Sequence, residues 1–118
     1  MSVEQDLKEL LQSLVGNRVY PDVAPAAAAL PRMTYQQVGG ESVQFLERTA
    51  PSKKNGRFQI NFWAAGRIEA SSLALQAENR LLVATIFQVE ALGAPVAIYE
   101  PDTKLYGTRQ DWSIWSVR

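Results

Sequence analysis

Cysteine and histidine are both absent from this chain of 118 residues. Without them no disulfide can form, and the thiolate and imidazole ligands used by many metal sites are excluded. Nucleophilic Ser–His and Cys–His pairs are excluded for the same reason. The seven glycines form neither a phosphate-binding loop nor a dinucleotide fingerprint. Carboxylates are therefore the only catalytic groups that need to be weighed.

The chain also has no excess of charge of one sign. Lys and Arg together number 12, and Asp and Glu together number 12. No overall charge therefore draws the protein to nucleic acid or to an anionic membrane. No stretch approaches the roughly 20 apolar residues of a membrane span, and the acidic residues 1–6 do not resemble a signal peptide. We expect a soluble protein made in the cytoplasm.

The length and composition predict one globular domain over residues 1–118. A typical domain has roughly 100–200 residues, and hydrophobic residues make up 47% of this chain, an ordinary value for globular proteins. A chain of this size should bury roughly 60–70% of its unfolded surface, which is enough for an independent core.

Helical periodicity occurs in two segments. Leucine and valine recur at spacings of three and four over residues 3–15, and Ser2 with Gln5 fits a capping box. We predict a helix there, ended by Gly16. A second helix is predicted over residues 69–87. It is apolar on two faces, which is typical of a helix that is buried on both.

A period of two predicts strands over residues 32–38, 41–48, 57–64, 96–100 and 109–117. Gly39-Gly40 fits a two-residue hairpin turn between the first two. The polar residues 49–57 predict an exposed loop. The element order α-β-β-β-α-β-β indicates an α+β fold, an antiparallel β-sheet with two helices packed on one face.

Two aspartates and a lysine offer one catalytic interpretation. Asp22, Asp102 and Lys104 loosely resemble the arrangement of metal-dependent nucleases, in which carboxylates hold Mg²⁺ and a lysine helps to activate water. The alternative is that these residues occupy turns, where Pro-Asp is common for conformational reasons. The pattern is weak, and we favour the turns.

The chain has one basic cluster, made of Arg48, Lys53, Lys54 and Arg57. A functional interpretation is contact with nucleic acid or an acidic partner, as in a small nucleic-acid-binding module. The alternative is a solvated loop tip, which is the commoner role of such a cluster.

Tryptophan and the second helix supply candidates for contact surfaces. Trp63, Trp112 and Trp115 fit a stacking platform for single-stranded nucleic acid, but such residues more often fill a core or an interface. Trp112 and Trp115 are three apart in a predicted strand and should point to opposite faces, which favours a subunit contact for Trp115.

Three apolar residues of the second helix, Leu75, Leu82 and Ile86, have two interpretations. They pack under the predicted hairpin within one chain, or they face a neighbouring subunit. Two-sided apolarity does not decide between these interpretations.

The order of several short motifs resembles a known family. Residues 16–21 (GNRVYP), 30–36 (LPRMTYQ), 59–64 (QINFWA) and 107–115 (GTRQDWSIW) follow a leucine-rich first helix. Together they resemble small phage tail completion proteins, the tail-terminator family that includes the lambda minor tail protein U type. The order of these motifs over nearly the whole chain carries the resemblance.

The resemblance implies a structural protein of a phage or prophage virion, without catalysis and without a cofactor. It implies an α+β protomer that forms a ring, usually of six copies, which caps the tail tube and offers a surface to the head or neck proteins. Assembly would take place in the bacterial host cytoplasm. Patterning then suggests Leu75, Leu82, Ile86 and Trp115 as the subunit interface, and the basic cluster as the wall of a channel through which DNA passes.

Overall fold

The computed structural model describes residues 2–46 and 48–118. Its elements are α1 (Val3–Leu11), β1 (Val19–Pro21), β2 (Arg32–Gln37), β3 (Lys53–Ala64), α2 (Arg67–Val83), β4 (Gln88–Ala91), β5 (Val96–Glu100) and β6 (Leu105–Val117). The predicted α+β class is confirmed. In the part of the chain that is described, neither helix is long and apolar enough to cross a membrane.

The first helix begins where the sequence predicts, because Ser2 caps it. The Gln5 amide donates a hydrogen bond of 3.1 Å to Ser2 Oγ, which satisfies one of the unpaired N–H groups of the first turn. Beyond Leu11 the chain tightens into a 3₁₀ turn, Gln12–Val15. Gly16 then ends the helical segment with φ 56°, a left-handed conformation that glycine adopts without steric cost.

The strands form one sheet in the order β1-β2-β3-β6-β4, with β5 also on β6. All neighbours are antiparallel except β1, which runs parallel to β2. All 12 residues of β3 pair with β6. Because β4 and β5 pair in succession with the same strand, they are two segments of one interrupted strand. Residues 92–95 form the interruption. This segment keeps one hydrogen bond to β6, in which the Leu92 amide donates to the Asp111 carbonyl at 3.0 Å.

Both helices cover one face of the sheet, as predicted. The core between them is formed by side chains of α1, α2 and the alternate positions of the strands, including Leu7, Leu11, Leu73, Leu81, Met33, Phe58, Ile60, Phe62, Trp112 and Ile114. Successive residues of a strand point to opposite faces. The odd-numbered residues of β3 and β6 therefore lie on the other face of the sheet, which we call the open face.

The predicted strand over residues 41–48 is wrong at the positions that the structure describes, and Glu47 lies outside the described residues. The described residues between Gln37 and Lys53 contain no strand, and Gly39-Gly40 is not a two-residue hairpin turn. The partner of β2 is instead β3, with Gln37 opposite Phe58. Phe58, Ile60 and Phe62 of β3 are buried beside β2, whereas Phe45 and Leu46 of the predicted strand are exposed, so the long-range pairing is favoured.

The predicted exposed loop over residues 49–57 is wrong for its second half. Residues 53–57 are the first five of β3, because the end of β6 extends alongside them and pairs Lys53 with Val117. Basic residues, Asn and Gly have little intrinsic preference for strands, and here the partner strand overrides that preference.

Two short strands were not predicted. β1 has only three residues, and β4 begins directly beyond the segment assigned to the second helix. The helix ends at Val83 because Ala84 adopts an extended conformation with ψ 140°. The chain then places Phe87 in the core, where it is 6% exposed.

Candidate interaction surfaces

The outer face of α2 carries several exposed apolar side chains. Its buried face is made of Ala70, Leu73, Ala74, Ala77 and Leu81. On the opposite face, Ile68, Leu75 and Leu82 are 86%, 59% and 57% exposed. Their spacing of seven residues is close to two helical turns, so they form one line, which we call the α2 stripe.

The exposure of Leu75, Leu82 and Ile86 excludes the first of their two interpretations, packing under a hairpin within one chain. Ile86, just beyond the helix, is 54% exposed, so none of the three packs under another element of the same chain. The predicted burial of both faces of α2 is wrong for the protomer. Ile68 was missed, although its spacing of seven from Leu75 was visible in the sequence.

The tryptophans divide between the two faces of β6 as predicted. Trp112 is 1% exposed and pairs with Phe58 in the core. Trp115 is half-buried on the open face, between Asn55 and Gln88 of the neighbouring strands. The α2 stripe and Trp115 therefore lie on opposite sides of the protomer.

The basic residues occupy one end of the β3–β6 ladder. Lys53 and Lys54 are exposed at the start of β3, and Arg48 is exposed with φ 59° in the segment before it. Lys53, Lys54 and Arg118 line one cleft of about 270 Å³. We call Lys53, Lys54 and Arg118 the basic end. Arg118 was missed because it is distant in sequence and is brought here by strand pairing.

Arg57 differs from the other basic residues because its charge is paired. Its Nε and Nη2 atoms donate to Asp111 Oδ2 at 3.0 and 2.7 Å, across the open face. Asp111 is the residue opposite Gln59, so the contact is diagonal between adjacent strands. Arg57 has less charge to offer a partner than the two lysines have.

The residues of the nuclease interpretation lie in irregular segments. Asp22 follows β1 with φ 62°, while Asp102 and Lys104 lie in the turn between β5 and β6. Asp22 shares a cleft with Glu100 and Thr103 rather than with Asp102. In residues 2–46 and 48–118, no group of three or more acidic residues is placed to hold a metal ion.

That cleft, which we call the Trp63 cleft, has a volume of about 490 Å³ and lies on the open face. Its polar lining includes Asp22, Arg32, Thr34, Asn61 and Glu100, and Trp63 supplies an aromatic wall. Residues from the connector before β2 and from the end of β5 meet there. No local pattern predicts this cleft, because the residues that line it come from four separate segments of the chain.

The chain matches the model of a known family. The family model described as Tail completion protein gp17 matches residues 7–116, which is almost the whole of the chain. No curated protein matches it.

Proposed function

The chain belongs to the Tail completion protein gp17 family, whose members are structural proteins of the phage tail, and from this premise we propose that its copies form a ring that caps the tail tube. The family is not a known enzyme family. In the proposed role the ring contains six copies and offers its outer surface to the head or neck proteins. It assembles in the host cytoplasm and remains in the virion.

The observation that carries ring formation is the α2 stripe. Exposed apolar side chains grouped on one face of a helix are typical of an interaction surface. Ile68, Leu75 and Leu82 lie opposite the buried face of the same helix, so the protomer core does not need them. We propose that this stripe, with Ile86, is covered by a neighbouring copy.

A ring also needs two different contact surfaces on each copy. A head-to-tail contact joins unlike surfaces and closes into a ring when its rotation allows. Trp115 on the open face and the α2 stripe on the helical side meet this requirement, because they lie on opposite sides of the sheet. This arrangement supports Trp115 as part of the second surface.

The basic residues fit a tail through which DNA passes. Arg48, Lys53 and Lys54 are exposed, and contacts from such side chains to phosphates carry no sequence information. We propose that they face the channel and allow DNA to pass without binding it tightly. Arg57 contributes less, because Asp111 already neutralises it.

The test is sedimentation of the purified protein at several concentrations, alone and with isolated tail tubes. Leu82→Glu should abolish assembly and tube capping while leaving the circular dichroism spectrum unchanged. Gln76→Glu introduces the same charge at an exposed position of α2 outside the stripe, and should assemble normally. A wild-type protein that stays monomeric and binds no tube would refute the proposal, whereas unfolding by Leu82→Glu would refute only the assignment of the stripe.

A further inference from the structure

Residues 42–46, which we call the arm, have the alternation of a strand but no strand partner in the protomer. Val43 and Phe45 alternate with polar residues, a period of two that is typical of strands. Among the described residues, the one backbone hydrogen bond of the arm joins the Phe45 carbonyl to the Arg48 amide at 3.1 Å. The arm therefore lacks the ladder of backbone hydrogen bonds that a strand forms with a neighbour.

The apolar side chains at the end of the arm are exposed as well. Phe45 and Leu46 are 47% and 102% exposed, so neither contributes to the core of the protomer. Adjacent large apolar side chains at the surface are typical of a segment that a partner covers. The arm thus offers a partner both backbone groups and apolar side chains.

β5 has the complementary property, because it is a strand with one free edge. It pairs with β6 on one side, and no strand of the described part of the chain pairs with it on the other. Natural proteins usually protect such an edge with charged residues or proline, but residues 96–99 (VAIY) contain neither. Val96 and Tyr99 are each 49% exposed. β5 is therefore an apolar edge to which another strand can be added.

The arm of one protomer cannot reach its own β5. The arm begins beside Asn55, whose Oδ1 accepts a hydrogen bond of 2.9 Å from the Glu41 amide, and Asn55 pairs with Trp115. The nearest residue of β5, Val96, pairs with Arg109, six positions and therefore about 20 Å away along β6. Five residues of extended chain span at most roughly 17 Å. Any pairing between the arm and β5 must therefore join two copies.

We propose that the arm of one copy adds as a strand to the free edge of β5 of the next copy. The proposal rests on the ring proposed above and gives its subunit contact a backbone component. The arm starts beside the basic end, and β5 lies toward the opposite end of the β3–β6 ladder. The contact is therefore head-to-tail, the kind that can close a ring.

The side chains of the two segments match. In strand addition, backbone hydrogen bonds give affinity and the alternate side chains give specificity. Val96 and Ile98 point to the open face, because they pair with odd-numbered residues of β6. Val43 and Phe45 have the same spacing of two, so the added strand places apolar side chains beside apolar side chains on this face.

The arm and β5 also lie next to the surfaces that we propose for the ring contact. Asn55, which holds the start of the arm, is opposite Trp115 on the open face. The Nη2 atom of Arg67 donates to the Ile98 carbonyl at 2.6 Å, so the α2 stripe, which starts at Ile68, begins close to β5. Strand addition therefore extends these two surfaces and requires no third one.

The first experiment is cross-linking of cysteine variants, which is specific because this chain contains no cysteine. With a short bismaleimide, the double variant Phe45→Cys with Ile98→Cys should give a ladder of covalent species larger than a dimer, whereas each single variant should give at most a dimer. Glu9→Cys with Ile98→Cys, which moves the first cysteine to an exposed position of α1, should give no ladder.

A second pair of cysteines tests the other place where the arm could bind. Phe45→Cys with Leu82→Cys should give no ladder, because Leu82 lies on the α2 stripe, away from β5. A ladder from this pair and none from Phe45→Cys with Ile98→Cys would overturn strand addition in favour of docking on the stripe.

The second experiment replaces the arm by a Gly-Ser-Gly-Ser-Gly sequence of equal length. Self-association measured by sedimentation should weaken at least about tenfold, because the replacement removes the apolar side chains of the contact. The circular dichroism spectrum should not change, because no residue of the arm is buried. Replacing residues 49–50 by Gly-Ser, before β3 but outside the arm, is the matched control and should have little effect.

The outcomes separate this contact from the ring itself. A wild-type protein that assembles and caps tubes, with an arm replacement that assembles equally well, would refute strand addition and leave the ring standing. A wild-type protein that does not associate at all would refute both.

Discussion

The indole of Trp63 rests on Gly107, the residue opposite it on the neighbouring strand. A Cβ atom at position 107 would lie 2.7 Å from Trp63 Cε3 and 3.0 Å from Ile98 Cγ1. Glycine within a strand often marks such a close approach. It lets the ring lie against β6, where it forms one wall of the Trp63 cleft.

Gly107→Ala should therefore destabilise the fold by about 1–3 kcal/mol, the usual cost of forcing an extra carbon into a packed site. Urea unfolding measures this. The same substitution in a Trp63→Val background should cost less, because the ring that the methyl group meets is gone. An equal cost in both backgrounds would show that the strain does not come from the ring.

Gln110 should hold the interrupted strand in place. The side chain is 6% exposed, and its Nε2 donates to the Gly93 carbonyl at 2.9 Å and to Glu78 Oε2 at 3.0 Å. Gln110→Leu removes both donors, and an acceptor left without a partner costs about 1–3 kcal/mol. We expect lower stability together with faster amide hydrogen exchange at Leu92. Unchanged exchange there would mean that Gln110 does not hold this segment.

Arg57, which is paired, and the two lysines at the start of β3 should differ in their effect on folding. Arg57 is 50% exposed and bonded to Asp111, which is 20% exposed, so Arg57→Ala should cost up to about 1 kcal/mol, less at high salt. Lys53→Ala and Lys54→Ala should stay within about 0.5 kcal/mol of wild type. Equal effects of all three changes would show that the ion pair contributes nothing to stability.

Tyr35 should make the fold sensitive to alkali. Burial raises the pKa of the Tyr35 phenol, and the charges of Glu4 and Asp22 raise it further. The folded pKa of Tyr35 lies above the unfolded value of about 10. The contribution of Tyr35 to stability is therefore complete below about pH 10, and it is lost as the pH rises through the folded pKa.

Tyr35→Phe should remove that contribution. Urea unfolding from pH 8 to pH 11 should show wild type losing stability relative to the variant above about pH 10. Tyr99→Phe, at an exposed position, is the matched control and should follow wild type. A constant difference between wild type and Tyr35→Phe over that range would contradict the prediction.

The sequence by itself determined the elements whose signals are local. Ser2 and Gly16 mark the two ends of the first helical segment, and the alternation of Phe58, Ile60 and Phe62 identifies β3. The α+β class and the resemblance to tail completion proteins also came from the order of such segments, and both are confirmed. The interface and channel residues stay predictions.

The tertiary structure decided which segments meet. A period of two in the sequence indicates that apolar and polar residues alternate along a strand. Which strands pair depends on the surface that each buries with a distant partner. Hence β3 rather than residues 41–48 pairs with β2, and residues 53–57 become strand because β6 extends beside them. The exposure of the α2 stripe and the meeting of Asp22, Trp63 and Glu100 in one cleft arise in the same way. Each of these features depends on how far the sheet and the helices extend, and no local sequence pattern predicts that extent.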